Sequence, residues 1–126
     1  MKKTNVSIML ATLWIGISEF LRNEFLFKSL WDTHYKQLGL EFKTLPINGM
    51  LWLVWSFLLA LVIHQILQKF SAVQTIFLTW IMAFLMMWLT IFNLQVLPLQ
   101  IVILAIPLSL LEITIAILII KKITKI

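Results

Sequence analysis

Long apolar stretches, interrupted at only a few points, set the pattern of this chain. Residues 70–111 carry no Asp, Glu, Lys or Arg. As a single helix they would reach about 63 Å at ~1.5 Å per residue, about twice a ~30 Å hydrocarbon core, so they predict two spans. The break falls at residues 93–98, Asn-Leu-Gln-Val-Leu-Pro, where amides cluster and Pro98 suits a first helical turn. Upstream, residues 44–68 are free of formal charge, with Pro46 and the candidate N-cap Asn48 near their start. Residues 4–18 are uncharged but only about 15 long, short of the ~20 a spanning helix needs, so a complete first span must include Glu19.

These patterns predict spans at 5–27, 47–68, 72–92 and 97–120, with an outer segment at 28–46. Lys2 and Lys3, the apolar run 6–17 and Gly16-Ile17-Ser18 also fit a signal peptide. The apolar signal continues through Phe20, Leu21, Phe25, Leu26 and Phe27, which favours a retained helix running towards Leu30. Glu24 and Lys28 at i,i+4 would support its exposed end. Residues 31–45 alternate charges with Trp31, Tyr35, Leu38, Leu40 and Phe42, as in an amphipathic piece lying in the headgroup layer, ended by Gly39 as a C-cap. Tight connections at 69–71 and 93–96 make sequential helices antiparallel neighbours. The expected fold is an all-α, four-helix transmembrane bundle with a short interfacial segment between its first two helices, forming one domain over residues 1–126.

Composition agrees. Of 126 residues, 62% are hydrophobic and 12% charged, with mean hydropathy +1.04, against roughly 45–50% apolar and ~25% charged in a soluble domain. Lack of cysteine excludes disulfides, thiolate metal sites and a cysteine nucleophile. The net charge of +5 is not gathered into a basic stripe, so nucleic acid is not an expected partner; the lipid bilayer is. Lys2, Lys3, Lys69, Lys121, Lys122 and Lys125 fall on the side of the termini. Arg22, Lys28, Lys36 and Lys43 fall on the other, among Glu24, Asp32 and Glu41. The positive-inside rule then puts both termini in the cytoplasm, in a cell membrane expected to be a bacterial inner membrane.

Each predicted span has a stripe of small or polar residues at helical spacing: Asn5, Thr12, Gly16, Glu19 and Asn23; Gly49, Ser56, Ala60, His64 and Gln68; Thr75, Thr79, Ala83, Met86 and Thr90; Ala105, Ser109, Glu112 and Ala116. These faces are expected to pack inward, where small residues permit close approach and hydroxyls bond across helices. Ionisable groups at membrane depth need a separate account, because a charge at mid-span costs at least ~2.5–3.5 kcal/mol. Helical rise puts His64 ~7 Å, Glu112 ~13 Å and Glu19 ~21 Å from the cytoplasmic edge. The expected arrangement is Glu112 bonded to Ser109 or His64, as a neutral acid or as an ion pair, with Glu19 as an outer carboxylate. Such a set is proton-responsive and suits binding or transport of a proton or small solute. The structural alternatives are a buried polar clasp and, for Glu19, a simple i,i+3 pair with Arg22.

Trp31, Trp52, Trp55 and Trp88 fall in the outer half, as in an interfacial belt or, alternatively, an aromatic pocket for a lipophilic or cationic ligand. Met82, Met86 and Met87 suit adaptable packing. Pro107 frees the carbonyl of Ile103 and would open backbone polarity towards the interior near Glu112. No phosphate loop, zinc-protease motif or convergent ligand set is present, so no cofactor or metal is expected.

Residues 23–28 (Asn-Glu-Phe-Leu-Phe-Lys), Trp31, His34-Tyr35, Gly39-Leu40, Asn48-Gly49 and residues 107–112 (Pro-Leu-Ser-Leu-Leu-Glu) give a layout that resembles small, uncharacterised four-span bacterial membrane proteins. The resemblance implies the fold and no activity. From the residues themselves, a small solute-binding or transporting membrane protein is expected, in a homodimer if a pathway needs room. An accessory subunit gripping a partner helix and a lipid-modifying enzyme centred on His64 and Glu112 are the alternatives.

Overall fold

The computed structural model describes residues 2–42 and 45–126; Lys43 and Thr44, at the end of the outer segment and the start of the second uncharged run, lie outside the described residues. Four helices are long and apolar enough to cross a membrane: α1 (Lys2–Leu26), α3 (Pro46–Leu67), α4 (Ala72–Asn93) and α5 (Leu99–Thr124). A short helix, α2 (Lys28–Gln37), lies between the first two, and no strand occurs among the described residues. The chain is thus an all-helical, four-span bundle of the multi-pass membrane type. α1 packs against α5 and α3, and α4 packs against the same two from the opposite corner.

Local chemistry sets the helix ends. Ser71 caps α4 through a reciprocal pair: Gln74 N–H donates to Ser71 Oγ at 3.2 Å and Ser71 N–H donates to Gln74 Oε1 at 3.0 Å. At α3 the cap residue is Leu45. Asn48, the expected N-cap, sits inside the first turn, where its Oδ1 accepts from Leu45 N–H at 3.0 Å. Pro46 takes the first helical position, where its missing N–H costs nothing. Pro98 likewise precedes α5 as its cap residue and is not part of the first turn. After α2, Gly39 has φ +74°; Leu40 N–H reaches Tyr35 O at 2.8 Å and Gly39 N–H reaches Lys36 O at 3.0 Å. This is the two-bond C-terminal closure that glycine permits. Gln95 closes α4 in the same way at φ 63°, with Val96 N–H on Ile91 O at 2.9 Å.

Two π-turns, at Arg22–Leu26 and Ile81–Leu85, interrupt the α-helical register. Each adds one residue to a turn and so rotates everything beyond it. In α4 the buried positions run Thr75, Thr79, Phe84, Trp88, so Met86 and Thr90 of the expected stripe face outward. In α1 the inward series Glu19, Arg22 passes to Phe27, and the helix breaks there. Glu24 and Lys28 consequently fall on different elements, and the expected continuous helix towards Leu30 does not form.

The interior mixes large aliphatic and aromatic side chains, such as Ile15, Ile63, Phe84, Ile113 and Ile117, with small and polar ones, and the exterior is mainly large and apolar. Ser7, Ala11, Thr12, Ser56, Ala60, Thr75, Thr79, Ala105, Ser109 and Ala116 are buried, whereas Asn5, Gly49 and Gln68 face outward. Buried hydroxyls mostly bond their own helix, not a neighbour: Thr12 donates to Ile8 O (2.7 Å), Ser56 to Trp52 O (2.8 Å) and Thr79 to Thr75 O (2.6 Å). Small residues therefore act by letting helices approach, as at Gly16, where an added Cβ would lie 3.5 Å from Leu53 Cδ1.

Candidate functional site

Arg22 is the group around which the buried polar side chains assemble. Its Nη2 donates to Glu19 Oε1 and lies 3.8 Å from Glu112 Oε1, with all three residues buried. The guanidinium carbon sits 5.2 Å from the centre of the Phe84 ring, close enough for a cation–π contact. Asn23 Nδ2 donates to Glu19 Oε2 at 3.1 Å, and Trp31 Nε1 donates to Asn23 Oδ1 at 3.1 Å. A chain of polar contacts thus runs from α2 to the bundle interior.

Side-chain direction explains why α1 and α5 meet here. Helical side chains lean towards the N-terminus of their helix. On antiparallel α1 and α5 this aims Arg22 down towards the termini end and Glu112 up towards the loop end, so residues at different backbone heights converge. Trp14 reinforces the pairing, its Nε1 donating to the backbone carbonyl of Glu112 at 2.9 Å. Glu112 itself is fully buried, and neither carboxylate oxygen has a hydrogen-bond partner. Arg22 Nη1 is also buried without one.

Of the four candidate residues, Glu19 and Glu112 are brought together, and His64 and Ser109 are not joined to them. The expected Glu112–His64 and Glu112–Ser109 bonds are absent. His64 Nδ1 instead meets Gln68 Nε2 at 3.2 Å on its own helix, and Ser109 Oγ accepts from Trp80 Nε1 at 2.8 Å while donating to Ile106 O at 3.0 Å. Glu19 does pair with Arg22 at i,i+3, but in the interior and with the same nitrogen facing Glu112. The three-rung ladder estimated from helical rise is replaced by two carboxylates sharing one arginine. Pro107 plays no part: it and Ile103, the latter 76% exposed, lie on the outer face of α5.

Phe84, and the burial of Arg22 against Glu112, are what the sequence pattern missed; the Glu19–Arg22 pair itself was among the expectations. The signal for Arg22 was its place three residues after Glu19 inside a span; for Phe84 there was none, because a regular helix would turn Ala83 inward. The outer tryptophans are more than a belt. Trp55 packs edge-on to Phe84 (5.8 Å), and Trp88, also 5.8 Å from Phe84, is buried. Beside the cluster, Glu19 and Asn23 line an open cavity of about 460 Å³ between α1 and α3, whose walls include Leu13, Gly16 and Leu53. Among the described residues no three His, Asp or Glu side chains converge as metal ligands. Compared with protein-family models, curated proteins and solved structures, the chain matches none.

Proposed function

We propose that this protein binds a proton or a small cation at the Glu19–Arg22–Glu112 cluster and passes it through the membrane. The observation that carries this is Glu112, fully buried with both carboxylate oxygens unpartnered, 3.8 Å from an Arg22 nitrogen that Glu19 already engages. Two carboxylates against one guanidinium leave a formal deficit of one positive charge in a low-dielectric interior, where uncompensated charge is costly. A proton or a cation supplies it. The cavity between α1 and α3, lined by Glu19 and Asn23, offers the approach, since Arg22 and Phe84 fill the bundle axis at this level.

In this proposal the termini face the cytoplasm of a bacterial cell, on the distribution of lysines, and the working unit is a homodimer. A lipid-modifying centre on His64 and Glu112 is not favoured, since His64 meets Gln68 on its own helix and not Glu112. The test is reconstitution into liposomes with a pH-sensitive dye inside, comparing the wild-type chain with Glu112→Gln and Glu19→Gln. Proton uptake by the wild type that is lost in Glu112→Gln, with the helical circular-dichroism signal kept, supports the proposal. Equal uptake by both, or none by the wild type under an imposed pH gradient or an imposed cation gradient, overturns it.

A further inference from the structure

A second site lies at the loop end, outside the Arg22 cluster. Tyr35, Phe42, Trp52 and Trp55, with Glu24 and Glu41, line a cavity of about 440 Å³, and among the described residues none that lines it is basic. The rings pair edge-to-face, Tyr35 with Phe42 at 5.3 Å and Trp52 with Trp55 at 5.5 Å. In such pairs the edge-on ring keeps its π-face free of its partner, although Trp31, stacked on Phe42 at 5.7 Å and 6°, covers one face of that ring. Neither carboxylate has an ion-pair partner among the described residues. Aromatic faces around a small space, with negative charge at its rim, are the chemistry that holds an alkylated ammonium group.

This cavity adjoins the one between α1 and α3. Glu24, Asn48 and Trp52 line both, and the second continues along Leu13, Ile17 and Leu53 into the span. We propose that the two together bind a cationic amphiphile, its alkylated ammonium head among the aromatic rings and its apolar tail in the α1–α3 cleft. The passage between head and tail carries Glu24, so a phosphate linker there would be repelled. The ligand class is therefore an alkyl or isoprenoid ammonium, not a phosphocholine lipid. Lys28 and Lys36 line a neighbouring cavity, which shares Glu41 and Phe42 with the head site. The head site shares no residue with the Glu19–Arg22–Glu112 cluster and goes beyond that function, while the tail cleft is lined by Glu19 and is the same cleft that offers the approach to the cluster.

Tryptophan fluorescence tests it, because Trp52 and Trp55 form part of the wall. The protein in a maltoside micelle is titrated with decyltrimethylammonium, its neutral carbon isostere, tetramethylammonium and a short-chain phosphatidylcholine. The expected result is saturable quenching by decyltrimethylammonium at a concentration roughly tenfold below that of the neutral isostere. Glu41→Gln, at an exposed position outside the helices, and Phe42→Leu should each weaken it several-fold, with Lys121→Gln, exposed near the opposite end of the bundle, unchanged. Tetramethylammonium binding as tightly as the amphiphile would mean that a free ammonium solute is the ligand and would overturn the tail assignment. Equal affinity for the neutral isostere or for phosphatidylcholine, or no loss in either loop variant, overturns the head site.

Discussion

Replacing Arg22 by Met removes the one positive charge that two buried carboxylates face, and the cost should be large. At 3.8 Å an ionised Glu112 would attract Arg22 by about 4 kcal/mol for an effective dielectric near 20, an attraction absent while Glu112 holds the proton of the proposed function. Glu19, in direct contact with the same nitrogen, adds a second attraction, and Phe84 adds a cation–π contact of up to about 2 kcal/mol when desolvated. Against these stands the desolvation of three charges, several kcal/mol each. The net value of the triad is therefore small, but removing one member strands the others, at about 3–5 kcal/mol.

Arg22→Met should lose that amount in a reversible unfolding titration with a denaturing detergent, followed by circular dichroism. Arg22→Lys keeps the charge but loses the planar fork and the stack on Phe84, and should cost about 1–2 kcal/mol. The decisive comparison is Arg22→Met combined with Glu19→Gln and Glu112→Gln, which should recover to within about 1 kcal/mol of wild type because no buried charge is left alone. An Arg22→Met loss below 1 kcal/mol, or a triple variant no better than the single, refutes the charge accounting.

Three further outcomes follow from particular contacts. Gly16→Ala should fold normally, since its Cβ meets Leu53 and Ser56 only at 3.5 and 3.7 Å, whereas Gly16→Leu should wedge α1 from α3 and cost about 1–3 kcal/mol in the same titration. Trp14→Phe removes the interhelical bond to the Glu112 carbonyl and should cost about 1 kcal/mol; an unchanged midpoint would show that the bond contributes nothing. Gly39→Ala meets no atom but must hold φ +74°, at a cost of about 1–2 kcal/mol. It should appear as faster amide hydrogen exchange at position 39 and at Leu40, with the spans unaffected.

Much of the fold was written in the spacing of charges. A run free of Asp, Glu, Lys and Arg as long as residues 70–111 has to break, and amides followed by Pro98 mark where it does. The chain there leaves α4 at Asn93 and resumes at Leu99. Half of the candidate site was legible too, because Glu19 and Glu112 are conspicuous at membrane depth. Their partner was not, since Arg22 beside Glu19 at i,i+3 has the look of a surface pair. Whether such a pair faces water or the interior depends on tilt and neighbouring helices, which a single helix's pattern does not encode. The expected His64–Glu112 bond does not form for a related reason: backbone rise sets the height of a residue, while reach is set by side-chain length and lean. Glu112 extends towards one end and Arg22 towards the other, and the two close a gap that the imidazole does not.

The π-turns are the deeper reason that the inward faces were misassigned beyond mid-span. A helical stripe read at a period of 3.6 holds only while the period holds, and in α4 it slips by one residue between Thr79 and Phe84. If the turn at Ile81–Leu85 is one surplus residue, deleting exposed Met82 should leave Thr75, Thr79, Phe84 and Trp88 on one face of a continuous α-helix. Deleting exposed Phe77, in the regular part of the same helix, should instead rotate the following residues by about 100° relative to Thr75 and pull Thr79 out of the interior. The Met82 deletion is therefore expected to keep its folded yield and the buried environment of Trp88, measured by fluorescence and detergent-resistant chromatography, while the Phe77 deletion loses both. Equal damage from the two would mean that the π-turn is required in its own right, as the device that holds Phe84 against Arg22, and that shortening α4 by one residue's rise is already too much for that contact.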